Sequence, residues 1–249
     1  MLTKIEIKHI IQKCNTEFWR GNMKLHTDNL NKSGFTMAEV LITIAVIGVV
    51  AAVTIPTLVQ SYKKCVVETR LAKFYSAINQ AIQLSEIENG DKKNWDAIAS
   101  CSKDEEGNVD MSKPNPFAWY EKYLKKYLQV TKVEQSTNGV CSEILYFSDG
   151  SGLSFSANSF YFYPNAKDLV RGGGSGITRF TFGFNPNYSS QDHYNKGVEP
   201  YAFFWDGTIE HLKNSSQFGC QKAQNEAVYC TKLIQLNGWK IPDDYPFKF

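Results

Sequence analysis

Histidine is scarce in this 249-residue chain: there are four, and beyond residue 34 only His193 and His211 remain. No HExxH, GxSxG or Walker-type phosphate loop occurs, and no Cys–His arrangement suited to nucleophilic catalysis is evident. The six cysteines include no CxxC pair, which argues against a zinc site. The glycine-rich run at Gly172–Gly176 lacks a downstream Lys-Ser/Thr and leads into a strand-like stretch, so it does not cradle phosphate. Net charge is also lacking: a formal +2 gives no reason to expect bulk nucleic-acid binding. These absences leave little for an enzyme to work with, and no small-molecule substrate is expected.

Charge is also missing locally. From Val40 to Tyr62 (VLITIAVIGVVAAVTIPTLVQSY) no residue is charged, and the run exceeds the ~20 residues that span a bilayer. Residues 1–34 before it hold six Lys/Arg against three Asp/Glu, the bias of a segment kept on the cytoplasmic side. Lys63, Lys64 and Arg70 follow the run, so charge alone does not fix its orientation. A secretory signal would be shorter and would end in small residues at a cleavage site on its far side. Here the run flows instead into an amphipathic pattern.

The near side carries the informative motif. Ser33-Gly34-Phe35-Thr36-Met37-Ala38-Glu39 and the apolar run after it, with Pro56 deeper inside, resemble the prepilin-type signal of type IV pilins and type II secretion pseudopilins. The match covers about 25 residues, and its specificity lies in the fixed spacing of Gly, Phe and Glu. The resemblance implies cleavage after Gly34 by a prepilin peptidase, N-methylation of Phe35, and an assembly role for Glu39 and Pro56. A carboxylate at the edge of an apolar span costs roughly 2–3 kcal/mol or more in a bilayer, so it calls for a partner. After cleavage Phe35 carries a protonated α-amino group, its own or a neighbour's being within reach of Glu39. In this family the neighbour's amine is the usual proposal, and such pairing sets the axial stagger of subunits in a filament. The bland alternative is a carboxylate that snorkels to the interface.

Pro56 removes a helix hydrogen bond, and a kink or local melting is expected near Ala52–Pro56. Gly48 and Ala52, four apart, would let helices approach closely. A 34-residue leader is long for the family, and Met23 offers a second start that gives the short polar leader MKLHTDNLNKSG.

The helix should continue past the membrane. Val67, Leu71, Phe74, Ile78, Ala81 and Ile82 recur at helical spacing, which predicts one helix from Phe35 to about Glu88, ending before Asn89-Gly90. At ~1.5 Å per residue it would be roughly 80 Å long. Residues 91–113 read as a loop, whose acidic run Asp104-Glu105-Glu106 is a solvated stretch or, alternatively, a calcium ligand cluster. Asn115-Pro116 is a helix start, followed by an apolar face of Phe117, Tyr120, Leu124 and Tyr127/Leu128, with Lys122, Lys125 and Lys126 on a solvated side.

From Glu143 the pattern turns to strands. EILYFS and SGLSFSA flank Asp149-Gly150 as a hairpin, SFYFYP and the alternating ITRFTFGF follow, and YAFFW and TIEHL around Asp206-Gly207 read as a second hairpin. The tail holds a short helix ending near Asn237-Gly238. The fold class is therefore α+β: a long hydrophobic N-terminal helix packed against an antiparallel head of four to six strands. Its segments are 1–34 (cleaved leader), 35–62 (transmembrane and filament-core helix), 63–90 (amphipathic continuation), 91–142 (variable αβ segment) and 143–249 (β head with a C-terminal Cys loop).

Cys220 and Cys230 are spaced to close a short loop, or remain two thiols, and Cys101 and Cys141 form a second candidate pair. Cys65 is then left over and Cys14 lies in the leader. An extracytoplasmic head permits such bridges. No cofactor is required. Some pseudopilins bind calcium in a loop at the position of residues 185–197, where Asn185, Asp192 and Asn195 offer oxygens with a single carboxylate among them.

The resemblance implies a single-pass inner-membrane protein with an extracytoplasmic head. Its partners would be other pilin or pseudopilin subunits, the prepilin peptidase, an inner-membrane assembly platform and the membrane itself. The alternative within the family is a minor pilin acting as an adhesin or DNA-capture module at a filament tip.

Overall fold

The computed structural model describes residues 36–102, 104–106, 110, 113–136, 141–171, 174–187, 196–221 and 226–249. Gly34, Phe35, Asp192, Asn195 and Cys14 lie outside them. The chain divides into two compact units at Val66/Val67. A single α-helix, α1 (Met37–Asn89), runs through both.

In the first unit α1 is a lone apolar helix. Met37, Ile42, Ile47, Val49 and Val53 are each more than 60 % exposed, so nothing among the described residues covers them. The helix stays unbroken across Pro56, and the melting expected there is absent from the single chain. Its neighbours help: the Thr54 hydroxyl donates to Val50 O (3.0 Å) and the Thr57 hydroxyl to Thr54 O (2.8 Å), which keeps side-chain donors satisfied around the proline.

In the second unit the rest of α1 buries Val67, Leu71, Phe74, Ile78, Ala81 and Ile82, the whole stripe predicted from spacing. Asn89 ends the helix and Gly90 takes φ +74°, the left-handed conformation that glycine adopts at little cost. A short 3₁₀ turn (Lys92–Asn94) follows, its start capped by Asp91, whose side chain accepts from Lys93 N. In α2 (Pro116–Tyr123) the Asn115 side chain accepts from Ala118 N at 2.8 Å, and Pro116 occupies the first turn, where no N–H is missed.

The sheet contains β1 (Lys132–Ser136), β2 (Ser142–Tyr146), β3 (Gly152–Ser156), β4 (Ser159–Tyr163), β5 (Phe180–Phe184) and β6 (Val198–Pro200). They form an antiparallel meander in sequence order. A one-turn helix, α3 (Asp168–Arg171), lies between β4 and β5, and α4 (Ile209–Asn214) and α5 (Cys230–Leu236) follow β6. Register places Leu145, Leu153, Phe162 and Phe180 across from one another, with Phe155, Phe160 and Phe182 in the next row of the same face. All seven are fully buried, and each is worth roughly 1.5–3 kcal/mol by removal from water. Phe74 of α1 stacks on Phe162 (4.4 Å) and meets Phe182 edge-on (5.1 Å), while Trp119 of α2 meets Phe155, Phe160 and Phe184 edge-on. This is the α+β fold that the sequence predicts.

Three details differ from the sequence reading. The second hairpin does not form: TIEHL is helical, because Thr208 caps α4 by accepting from His211 N at 3.1 Å. β5 is buried along its whole length rather than alternating, since α5 packs against it as well. β1 is a strand inside the variable segment, half exposed at the sheet edge and too polar to announce itself.

Two bridges join Cys101 to Cys141 and Cys220 to Cys230. Cys65, expected to be left over, is disulfide-bonded too. The C-terminal segment is tied to α1 by buried Glu68, which accepts from Ile241 N (2.9 Å) and the Lys240 ammonium (2.6 Å).

Candidate assembly site

The start of α1 carries a capping box. The Glu39 carboxylate accepts from Thr36 N (2.8 Å) and from the Thr36 hydroxyl (2.9 Å), while Glu39 N donates back to the same hydroxyl (3.3 Å). This satisfies helix donors that otherwise have no partner and holds the carboxylate at the positive end of the helix dipole. The signal was in the sequence as Thr36-x-x-Glu39, but the reading there treated Glu39 as an ion-pair partner or a snorkelling carboxylate and not as a cap. Thr36 is the residue after Phe35, so the box holds the carboxylate one residue from the amine that cleavage would create.

Beyond the box, α1 is long and apolar enough to cross a membrane. Its polar side chains do not oppose this: the Thr43 hydroxyl donates to Val40 O at 2.8 Å, as the two threonines near Pro56 do to their own helix. A Cβ added at Gly48 would meet nothing within 4 Å among the described residues.

In the head, α1 docks on β6 through Asn79. Its side-chain oxygen accepts from Val198 N (3.0 Å), and its amide nitrogen donates to Val198 O (2.9 Å) and Tyr75 O (3.0 Å). The side chain stands in for the strand that the sheet edge lacks. Next to it the Tyr75 hydroxyl donates to Glu199 Oε1 (2.8 Å) and the Gln235 amide to Glu199 Oε2 (3.3 Å). Burial drives the Glu199 carboxyl upward against these hydrogen bonds, and burial with the Glu199 charge drives the Tyr75 phenol upward. Glu143 on β2 is another buried acid, 1 % exposed, with Oε2 unpartnered. Desolvation and the nearby Glu121 charge push it up to about 7, against the pull of Gln135 and Lys125.

Asn185 Oδ1 accepts from Asn158 Nδ2 at 2.6 Å, and the other two calcium candidates fall outside the described residues. Among the described residues no group of three or more His, Cys, Asp or Glu is placed to hold a metal.

The turn after β6 is a feature that sequence reasoning missed. Phe204 has φ +58° and is 67 % exposed. A bulky residue there costs on the order of 1–3 kcal/mol. The surroundings hold it in place: Tyr229 OH donates to Phe203 O, Trp205 Nε1 donates to Thr208 O (2.7 Å), and Asp206 N donates to His211 Nδ1 (3.1 Å).

A lone apolar helix that begins in a Thr-x-x-Glu box and ends in a β head defines a pilin-like subunit, and the comparisons agree. Residues 29–55 match the prokaryotic N-terminal methylation motif, the signal of type IV pilins and pseudopilins. The chain belongs to the family of unknown function DUF6613, whose model matches residues 57–249. No curated protein and no solved structure matches it.

Proposed function

We propose that this chain is a structural subunit of a type IV pilus-like filament or a type II secretion pseudopilus. In this reading a prepilin peptidase cuts after Gly34, Phe35 is N-methylated, and the subunit waits in the inner membrane as a single-pass protein with its head outside the cytoplasm. Assembly then packs the apolar half of α1 against its counterparts. Glu39 meets a neighbour's terminal amine, and Pro56 gives the helix a place to yield.

The observation that carries the reading is the methylation motif over residues 29–55, continuous with a helix whose first half exposes apolar side chains that nothing among the described residues covers. The disulfide-bonded head supports an oxidising compartment. Calcium, if used, would bind the 185–197 loop to steady the head rather than to react.

The test is the intact mass of the membrane-extracted protein, produced with and without a prepilin peptidase. A chain starting at N-methylated Phe35 only when the peptidase is present supports the reading. A chain starting near Met1 or Met23 in both cases overturns it.

A further inference from the structure

Phe204 is 67 % exposed, held outward by a strapped turn with its ring 5.9 Å from that of the neighbouring Phe203. Ile209, 54 % exposed, stands five residues on. The exposed charges of this stretch are acidic, Asp206, Glu210 and Glu226, while half-buried Lys213 is paired with Asp244 at 2.5 Å. The nearby Lys232 is buried, its ammonium 5.4 Å from the centre of the Trp205 ring. The turn follows β6, one edge strand of the meander.

Toward the opposite edge lies a groove of about 260 Å³. α1 contributes Phe74, Ala77, Ala81 and half-exposed Leu84, and Phe147 closes the side toward the β2–β3 turn. Its rim keeps one net positive charge: half-buried Arg70 donates to Pro164 O and Asp149 O, and Lys73 pairs with the Asp149 carboxylate at 2.9 Å.

We propose that Phe204 of one copy seats in this groove of a second copy, with Asp206 and Glu210 set against Arg70 and Lys73. Three observations select a second copy as the occupant. The knob is apolar with an acidic surround, and the groove is apolar with a basic rim. The two lie toward opposite edges of one sheet, so the contact is heterologous and leaves a free groove at one end of a pair and a free knob at the other. A heterologous contact whose rotation does not close into a ring repeats as a filament. The inference rests on the filament reading above and adds a head-to-head contact to it.

The test replaces Phe204 with p-benzoylphenylalanine in the full chain, in cells that carry a prepilin peptidase. Illumination should give an adduct of two chains, linked to residues 73–84 or 147–151. Glu210→Lys should lower the yield several-fold, and Lys73→Glu on the same chain should restore it. An adduct with lipid, with a different protein or with another face of this chain overturns the proposal. So does a filament that assembles normally without the adduct. A chain that is not cut after Gly34 removes the filament reading, and this contact with it, whereas a cut and assembled chain lacking the adduct removes this contact alone.

Discussion

Asn79 and Val198 exchange two hydrogen bonds, side chain to backbone, across the join between the long helix and the last strand. Their closeness depends on Gly197, which has φ +141° and whose added Cβ would lie 2.2 Å from Asn79 Oδ1. Asn79→Ala leaves a backbone donor and acceptor unpaired and should cost about 1–3 kcal/mol. Gly197→Ala should cost at least as much, through the clash and the backbone. Chemical denaturation of the detergent-solubilised chain measures both, and unchanged midpoints would count against this joint.

Glu143 makes the head sensitive to pH. Its folded value of about 7 lies above the ordinary carboxyl value of 4.5, so the folded state holds the proton more tightly. Stability is therefore highest below about pH 4.5 as far as this group is concerned, and it falls as pH rises toward 7. Glu143→Gln should remove the decline and be more stable than the parent above pH 7 by roughly 2 kcal/mol. Denaturation midpoints at pH 5 and pH 8 give the comparison.

The two bridges should differ in worth. Cys101–Cys141 spans 40 residues and Cys220–Cys230 spans 10. Loop-closure entropy gives about 4 kcal/mol for the longer and about 3 kcal/mol for the shorter. Paired Cys→Ser variants, compared by denaturation midpoint, should fall in that order.

Phe204→Gly relieves a left-handed backbone at no packing cost. The head should keep its stability or gain up to about 1 kcal/mol, while assembled filament declines. Thermal unfolding and sheared-filament yield read the two effects separately, and a loss of stability would contradict the strain.

Glu39→Ala should leave cleavage after Gly34 intact and lower filament yield by roughly 30-fold or more, the cost of leaving a desolvated amine unpaired. Thr36→Ala breaks only the local box and should cost the helix start about 1 kcal/mol. Intact mass and filament yield distinguish the two variants.

How much of this was legible in the sequence varies with how local the cause is. The apolar stripe of α1, the Asn115-Pro116 start and the Asp149-Gly150 turn are decided by residues within a few positions, and they read correctly. The polar strand Lys132–Ser136 did not, because pairing with β2 rather than its own pattern makes it a strand. TIEHL was misread because Asp206-Gly207 resembles a hairpin turn, although Thr208 with Glu210 in the first turn was a readable helix start. At the assembly site, the spacing of Gly34, Phe35 and Glu39 was plain. The Phe204 knob was not, since its exposure depends on a backbone angle enforced by Tyr229, 25 residues away.

The hold of Glu68 on Ile241 bridges 173 positions, and it orders events in time. A ribosome makes Ile241 173 residues after Glu68. Until then a buried acid on the helix has no backbone donor, and the C-terminal segment has nothing to close on. The clasp thus closes only after Ile241 has been made, when the apolar half of α1 has long left the ribosome. A chain cut short by ten residues would lose the clasp while keeping every strand.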